Sequence, residues 1–159
     1  MTPLLYLDQN YLSGFAKRKP AFAELEPVVR DAAARGAIAV VESAVHEHES
    51  APRPDLGLLQ LLHSLSGGRR LAPGSSGEIH RRMTWIIEHE FPERRARASD
   101  VADLEALAAA LEHCRFVTCD AFMADVVRRG RLDLHHACEV FSGRRADVLR
   151  LRDALRSLP

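Results

Sequence analysis

Short apolar runs alternate with longer helical segments along this chain, and this alternation limits the fold more than any other feature. The apolar runs cover residues 3–7, 37–41, 115–119 and 138–141. Apolar residues at helical spacing predict helices over residues 21–35, 45–49, 56–65, 78–90, 100–114, 121–129 and 146–158. Strands that alternate with helices form a parallel sheet with helices on both faces. We therefore predict a three-layer α/β/α fold whose central, mostly parallel sheet has four or five strands.

Length and composition bound the class of protein. The chain has 159 residues, of which 47% are hydrophobic and 28% are charged, so we expect one globular domain over residues 1–159 rather than a disordered chain. The apolar run 37–41 is far shorter than the roughly 20 residues that a membrane-spanning helix needs. We expect no membrane partner.

The cysteines and the net charge indicate the cellular compartment and limit how the protein could bind a polyanion. Cys114, Cys119 and Cys138 are odd in number and lack CxxC spacing, so no full disulfide framework is expected. The N-terminus has no basic segment and no cleavage site of a signal peptide, and we predict a cytoplasmic protein. Because the net charge is zero, a site for a polyanion would have to be local.

Two acidic residues directly follow predicted strands. Asp8 comes after the run 3–7, and Asp120 comes after the run 115–119. The carboxyl ends of parallel strands share one edge of the sheet, where ligands bind in open α/β folds. The two carboxylates should therefore converge.

Further acids are expected near the same edge. Glu49 lies on the short helix after the second strand, and Asp100 and Asp103 lie one turn apart at the start of another helix. Gathered carboxylates repel each other unless a cation compensates them, and oxygen-rich clusters suit Mg²⁺ or Mn²⁺. We predict that these acids form one metal-binding pocket.

Each acid also has a purely structural explanation. Asp8 could cap the turn after its strand, and Asp120 could be the N-cap of helix 121–129. Asp100 and Asp103 fit the N-cap and N3 positions of a helix, where the helix dipole favours negative charge. Glu49 would ordinarily be a solvated helix residue. Capping does not explain why acids recur at the same end of successive strands.

The sequence resembles the PIN domains, a family of metal-dependent ribonucleases that includes toxins of toxin–antitoxin modules. The segment LLYLDQNYL, with Asp8 and Asn10, is similar to the family's first strand, and VVESAVHEHES, with Ser43 and Glu49, is similar to its second patch. The segment DLEALAAALEHCRFVTCDAFM resembles the third and fourth patches, an acid that opens an alanine-rich helix and then a strand ending in Thr, any residue, Asp. In this chain those positions are Asp103, Thr118 and Asp120.

The resemblance implies an endoribonuclease that hydrolyses RNA phosphodiester bonds with one or two Mg²⁺ or Mn²⁺ ions. It implies that Asp8 and Asp120 bind the metal directly, that Glu49 and Asp103 do so directly or through water, and that Asn10 and Thr118 orient the carboxylates or the phosphate. Two choices stay open, because Glu47 competes with Glu49 and Asp100 competes with Asp103.

Other functions and partners also stay open. A PIN-like fold could serve as a noncatalytic RNA- or protein-binding module. The sequence does not decide whether an antitoxin protein is a partner, or whether the leucine-rich segment 56–65 packs into the core or forms a homodimer interface. Histidines do not predict zinc, because the HExxH spacing is absent.

RNA binding would need a local basic surface. The basic clusters are residues 17–19, 69–70, 94–97 and 128–131. Any one of them could simply be a solvated face. The first and last lie close in sequence to Asp8 and Asp120, so we favour those two for contacts with phosphate.

Overall fold

Four short parallel strands form the centre of the molecule. A computed structural model describes residues 1–50, 54–75, 77–97 and 100–159, with the side chains of residues 48–50 outside the description. The strands are β1 (Leu4–Tyr6), β2 (Ala39–Val41), β3 (Phe116–Thr118) and β4 (Glu139–Phe141). Their order in the sheet is β2-β1-β3-β4, and every neighbouring pair is parallel. This confirms the predicted α/β fold with a parallel central sheet.

Helices connect the strands throughout the described part of the chain. They are α1 (Gln9–Ala16), α2 (Pro20–Ala34), α3 (Ala44–Ser50), α4 (Leu58–Ser66), α5 (Glu78–Glu90), α6 (Asp100–His113), α7 (Ala121–Arg129), α8 (Leu132–His135) and α9 (Arg145–Arg156). A single 3₁₀ turn, Pro54–Leu56, precedes α4. No helix in the described ranges is both long and apolar enough to cross a bilayer.

Strand side chains alternate between two hydrophobic cores, one on each face of the sheet. Leu5 and Phe116 lie in the core that is completed by α1, α2, α4 and α9. Tyr6 and Val117 lie in the core that is completed by α5, α6, α7 and α8. Burying one such large side chain stabilises the fold by about 1.5–3 kcal/mol. The two cores confirm the three-layer arrangement.

The element bounds differ from the predicted ones by at most two residues for most of the helices and strands. Neither α1 nor α8 follows from the sequence patterns above. Three leucines of α4, Leu58, Leu62 and Leu65, are buried in the core, whereas Leu59 is exposed. This face of the segment therefore packs into the core. Val101 is 62% exposed at the first turn of α6, so its place in the predicted apolar stripe is wrong.

The chain changes direction across the sheet between β1 and β3. After β1 it crosses one face through α1 and α2 to reach β2, and after β3 it crosses the other face through α7 to reach β4. The helices that follow these two neighbouring strands therefore leave on opposite faces. Such a topological switch point opens a crevice at the carboxyl ends of the strands, which is where α/β folds bind ligands.

Candidate active site at the carboxyl edge of the sheet

Asp8 and Asp120 occupy equivalent places on the two sides of this crevice. Each lies two residues beyond the end of its strand and is the N-cap of the next helix, α1 for Asp8 and α7 for Asp120. Asp120 thus has the N-cap position that was its structural alternative, whereas Asp8, which could have capped a turn, caps a helix that the sequence did not predict. Both acids lie at one edge of the sheet, as predicted. An ionised carboxyl group has about four acceptor sites, so a capping hydrogen bond leaves room for a cation.

Asp8 is held by several hydrogen bonds. Its Oδ1 accepts from the hydroxyl of Thr118 at 2.8 Å and from the backbone N–H of Tyr11 at 3.4 Å. The backbone N–H of Asn10, in the first turn of α1, donates to it as well. Burial raises the pKa of Asp8 to about 6, the charge of Asp120 adds to the rise, and the hydrogen bonds oppose it. The hydrogen bonds thus fix the carboxylate in position, while its ionisation is opposed mainly by burial and to a smaller extent by the charge of Asp120.

Asp120 is the more exposed of the pair. Its Oδ1 accepts from the backbone N–H of Met123 at 2.7 Å, which completes the first turn of α7. Its negative charge acts on Asp8 and on the thiol of Cys119, the residue that precedes it. Burial raises the pKa of that thiol strongly. Cys119 is therefore a neutral, buried and unreactive thiol.

Thr118 links the two strands. Its side chain is fully buried, and its Oγ1 accepts from the backbone N–H of Asp8 at 2.8 Å while donating to the carboxylate. The structure therefore places two of the predicted supporting residues in contact with Asp8, Thr118 through its side chain and Asn10 through its backbone N–H.

Asp100 and Asp103 differ in their partners. Oδ2 of Asp100 accepts from Arg94 at 2.8 Å and from the backbone N–H of Arg97 at 2.8 Å, and these contacts lower the pKa of Asp100. Asp103 lies half-buried one turn later. Arg94 also interacts electrostatically with Asp103 and Asp120. Because the ion pair already compensates Asp100, the arrangement favours Asp103 as the acid that is available to a cation.

Helix α3 carries two candidate acids, Glu47 and Glu49. Glu47 is exposed and forms a surface ion pair with Arg70 at 3.1 Å. Glu49 lies within α3, but its side chain is outside the described part of the structure. The choice between these two residues as ligands is therefore not decided by their contacts.

A buried histidine fixes the start of α3 against β1. His46 is 1% exposed, and its Nδ1 accepts from the backbone N–H of Ser43 at 3.0 Å. Nε2 then carries the proton and donates to the carbonyl of Leu7 at 2.6 Å. Burial lowers the pKa of His46, which keeps the ring neutral. This histidine is a hydrogen-bonded core residue rather than a zinc ligand.

Asp147 is a further acid at this edge that the sequence analysis missed. It accepts from the backbone N–H of Ser142 at 2.8 Å and from Arg128 at 3.1 Å, and it also pairs with Arg150. Burial alone would raise its pKa, but these hydrogen bonds outweigh burial and bring the pKa to about 2. Arg128, which we favoured for phosphate, is thus occupied in a structural network. An acid in the first turn of the predicted helix 146–158 was the available signal for Asp147.

The acids form a coupled pair rather than a complete cage. Within the described residues, no group of three or more His, Cys, Asp or Glu side chains lies close enough to hold a metal ion. The charge of Asp120 raises the pKa of Asp8, to a smaller extent than burial does.

The chain matches no protein-family model, and no curated protein or solved structure is significantly similar to it. Its resemblance to PIN domains rests on the motifs quoted above. Function is therefore argued from the site itself.

Proposed function

We propose that this protein is a metal-dependent endoribonuclease that hydrolyses RNA phosphodiester bonds. The observation that carries the proposal is the pair Asp8 and Asp120 at the switch point between β1 and β3, where burial and, to a smaller extent, the charge of Asp120 raise the pKa of Asp8. Preorganised carboxylates with perturbed pKa values in a crevice are typical of functional sites. The choice of RNA as the substrate comes from the resemblance to PIN domains.

The donor set fits Mg²⁺ or Mn²⁺. It consists of carboxylate oxygens, which hard divalent cations prefer, and a cation would relieve the repulsion between Asp8 and Asp120. These two residues would hold the ion directly, while Asp103 and Glu49 would do so directly or through water. When bound, the ion supplies a lowered pKa for water and positive charge for the phosphate oxygens in the transition state.

The chain itself contributes orientation and electrostatics. Thr118 and the backbone of α1 hold the Asp8 carboxylate in one position. The N-termini of α1 and α7 both begin at this edge, and their dipoles favour a negatively charged phosphate. In the proposed reaction, water attacks the phosphorus atom, and the bond to the leaving sugar oxygen breaks.

A noncatalytic RNA- or protein-binding module is the second candidate. It is favoured by the fact that, of the acids described, Asp100 is neutralised by Arg94 and no group of three is assembled. An antitoxin partner, a toxin role, a homodimer and a cytoplasmic location remain predictions from the sequence and the resemblance.

Cleavage assays on purified protein test the proposal. A labelled RNA of mixed sequence is incubated with Mn²⁺ or Mg²⁺, with EDTA as the first control. We expect EDTA to abolish cleavage and Asp8→Asn or Asp120→Asn to reduce it at least about 100-fold. Asp31→Asn is a matched control, because Asp31 is an exposed acid on α2 that pairs with Arg35 away from the crevice. It should leave the rate unchanged.

Metal binding separates the two candidate functions. Calorimetry with Mn²⁺ should give one or two sites that Asp8→Asn removes. If neither cleavage nor metal binding is observed, the noncatalytic module is the better interpretation. Metal binding without cleavage would contradict the choice of substrate but not the site.

A further inference from the structure

Arg94, from the basic cluster 94–97, places positive charge at the acidic edge of the sheet. Its guanidinium pairs with Asp100 and interacts electrostatically with Asp103 and Asp120. By contrast, Arg128 pairs with Asp147, and Arg70 pairs with Glu47. Cluster 94–97 was not one of the two that we favoured for phosphate, yet it contains an arginine that interacts with the acids of this edge.

Arg94 is held rigidly. Nη1 lies 2.8 Å from Oδ2 of Asp100, and Nη2 lies 3.3 Å from Oδ1, so the guanidinium and the carboxylate face each other as two forks. The guanidinium also lies over the ring of Phe122, with its central carbon 4.2 Å from the ring centroid. Phe91 packs edge-on against the same ring at 5.0 Å, which anchors the segment that carries Arg94.

Phe122 connects this arrangement to the site. It lies two residues after Asp120, in the first turn of α7, so the guanidinium stacks beside the N-cap of that helix. The Arg94 side chain retains 20% exposure, which leaves it accessible to a ligand in spite of its partners. A cation fixed next to unpaired carboxylates is useful for a substrate that carries its own negative charge.

The chemistry of the guanidinium points to phosphate. It has five N–H donors in a planar fork, and the fork toward Asp100 uses only part of them. A phosphodiester that approaches Asp8 and Asp120 is repelled by both carboxylates, and a preorganised arginine offsets that repulsion at little further loss of side-chain entropy. We propose that Arg94 binds a backbone phosphate of the RNA at this site, and that Asp100 is a positioning residue that holds Arg94. This inference rests on the proposed function, because it names the residue that recognises the substrate of the same crevice.

Binding measured without cleavage tests Arg94 separately from the nuclease proposal. The affinity for a fluorescent single-stranded RNA of mixed sequence is measured by anisotropy in EDTA, over a series of salt concentrations. Arg94→Ala should weaken binding about tenfold and reduce the slope of log affinity against log salt by about 0.7, the value for one phosphate on a single strand. Arg94→Lys should retain the slope with weaker binding, because it keeps the charge but loses the fork.

Arg95→Ala is the matched control, since Arg95 is the exposed neighbour on the same segment and its removal changes the net charge equally. This variant should bind the RNA with an affinity within about twofold of the wild-type value. Arg94→Gln keeps a donor for Asp100, so it tests the charge even if Arg94→Ala unfolds, and thermal unfolding of each variant monitors the fold.

Equal losses in the Arg94 and Arg95 variants, or an unchanged salt slope in Arg94→Gln, would overturn the assignment. So would a wild-type protein that binds no RNA in EDTA. If binding depends on Arg94 but Mn²⁺ produces no cleavage, the phosphate contact stands and the nuclease proposal fails.

Discussion

Thr118 and Asp8 exchange two hydrogen bonds across 110 residues of sequence. The hydroxyl of Thr118 accepts from the backbone N–H of Asp8 and donates to Oδ1 of the same residue, each at 2.8 Å. These bonds join the ends of β1 and β3, the two strands on either side of the crevice. The position of the carboxylate is therefore built into the fold before any ligand arrives, which is the preorganisation that a charge-stabilising site needs.

Replacing Thr118 with Val should separate the role of its hydroxyl from that of its shape. The side chains are similar in size, but the variant loses both hydrogen bonds and leaves the N–H of Asp8 without its partner. We expect a loss of about 1–3 kcal/mol in the free energy of unfolding, measured with urea. The pKa of Asp8 should rise further, because the Thr118 hydrogen bond lowers it, and carbon-13 NMR of the carboxyl group reports this.

Thr118→Ser is the matched control, since it keeps the hydroxyl. It should preserve the pKa of Asp8, although it loses a buried methyl group. An unchanged pKa in Thr118→Val would contradict the role of this hydrogen bond.

The sequence contained the information for the parallel sheet and for its acidic edge. Periodicity reports burial directly, and the carboxyl ends of parallel strands must share an edge, so Asp8 and Asp120 were predicted to converge. The order β2-β1-β3-β4 was not predicted, because it depends on which face each helix crosses. No local pattern encodes that choice.

The pairing of Arg94 with Asp100 was not predicted either, although only six residues separate them. From the sequence alone, Arg94 is interpreted as part of a solvated basic cluster and Asp100 as a helix cap, so nothing there indicates their ion pair. The stacking of Arg94 on Phe122 depends on how α7 packs. Helix α1 escaped prediction because it spans only eight residues and includes Gly14, a weak helix former. Its N-cap, Asp8, and its buried Tyr11 and Phe15 were the signals that could have found it.

Gly14→Ala should destabilise the protein although Ala favours helices. A Cβ atom at Gly14 would lie 2.5 Å from Cγ of Phe22, so α1 and α2 could not keep their close contact. We expect a loss of about 1–3 kcal/mol in the free energy of unfolding. Gly143→Ala is the control, because its Cβ would meet nothing within 4 Å.

A double variant tests the cause. Adding Phe22→Leu to Gly14→Ala should recover part of the loss, so the two changes should be non-additive. Strict additivity would contradict the proposed clash.

His46→Ala should destabilise the fold in a pH-dependent way. It removes a buried ring and leaves the carbonyl of Leu7 and the N–H of Ser43 without their partner, at a cost of about 2–4 kcal/mol at pH 7.5. The folded state holds His46 neutral, whereas the unfolded chain takes up a proton near its ordinary pKa. The contribution of His46 is therefore present above about pH 6.5 and declines as the pH falls below it.

Urea unfolding at pH 7.5 and pH 5 measures this difference. The gap between wild type and His46→Ala should be smaller at pH 5. His135→Ala is the control, because the His135 side chain is exposed. A gap that widens in acid would contradict a neutral, buried His46.

Asp8→Asn should make the metal-free protein more stable at high pH. In the folded state the pKa of Asp8 is about 6, above its ordinary value of 3.8, so the folded protein binds its proton more tightly than the unfolded chain does. The resulting stability is present below about pH 4 and is lost as the pH rises through 6, up to about 3 kcal/mol by pH 8. Asn caps a helix as well as Asp does and carries no charge, so the variant avoids this loss.

Unfolding in EDTA at pH 4 and pH 8 measures the effect, with Asp31→Asn as the control that should show no such gap. Mn²⁺ should reverse the order at pH 8, because an ion that binds only the folded wild type adds about 4.1 kcal/mol at about 1,000 times its dissociation constant. A variant that is less stable than wild type at pH 8 in EDTA would show that Asp8 is not strained by burial and by Asp120. Equal stabilisation of both proteins by Mn²⁺ would remove Asp8 from the metal site.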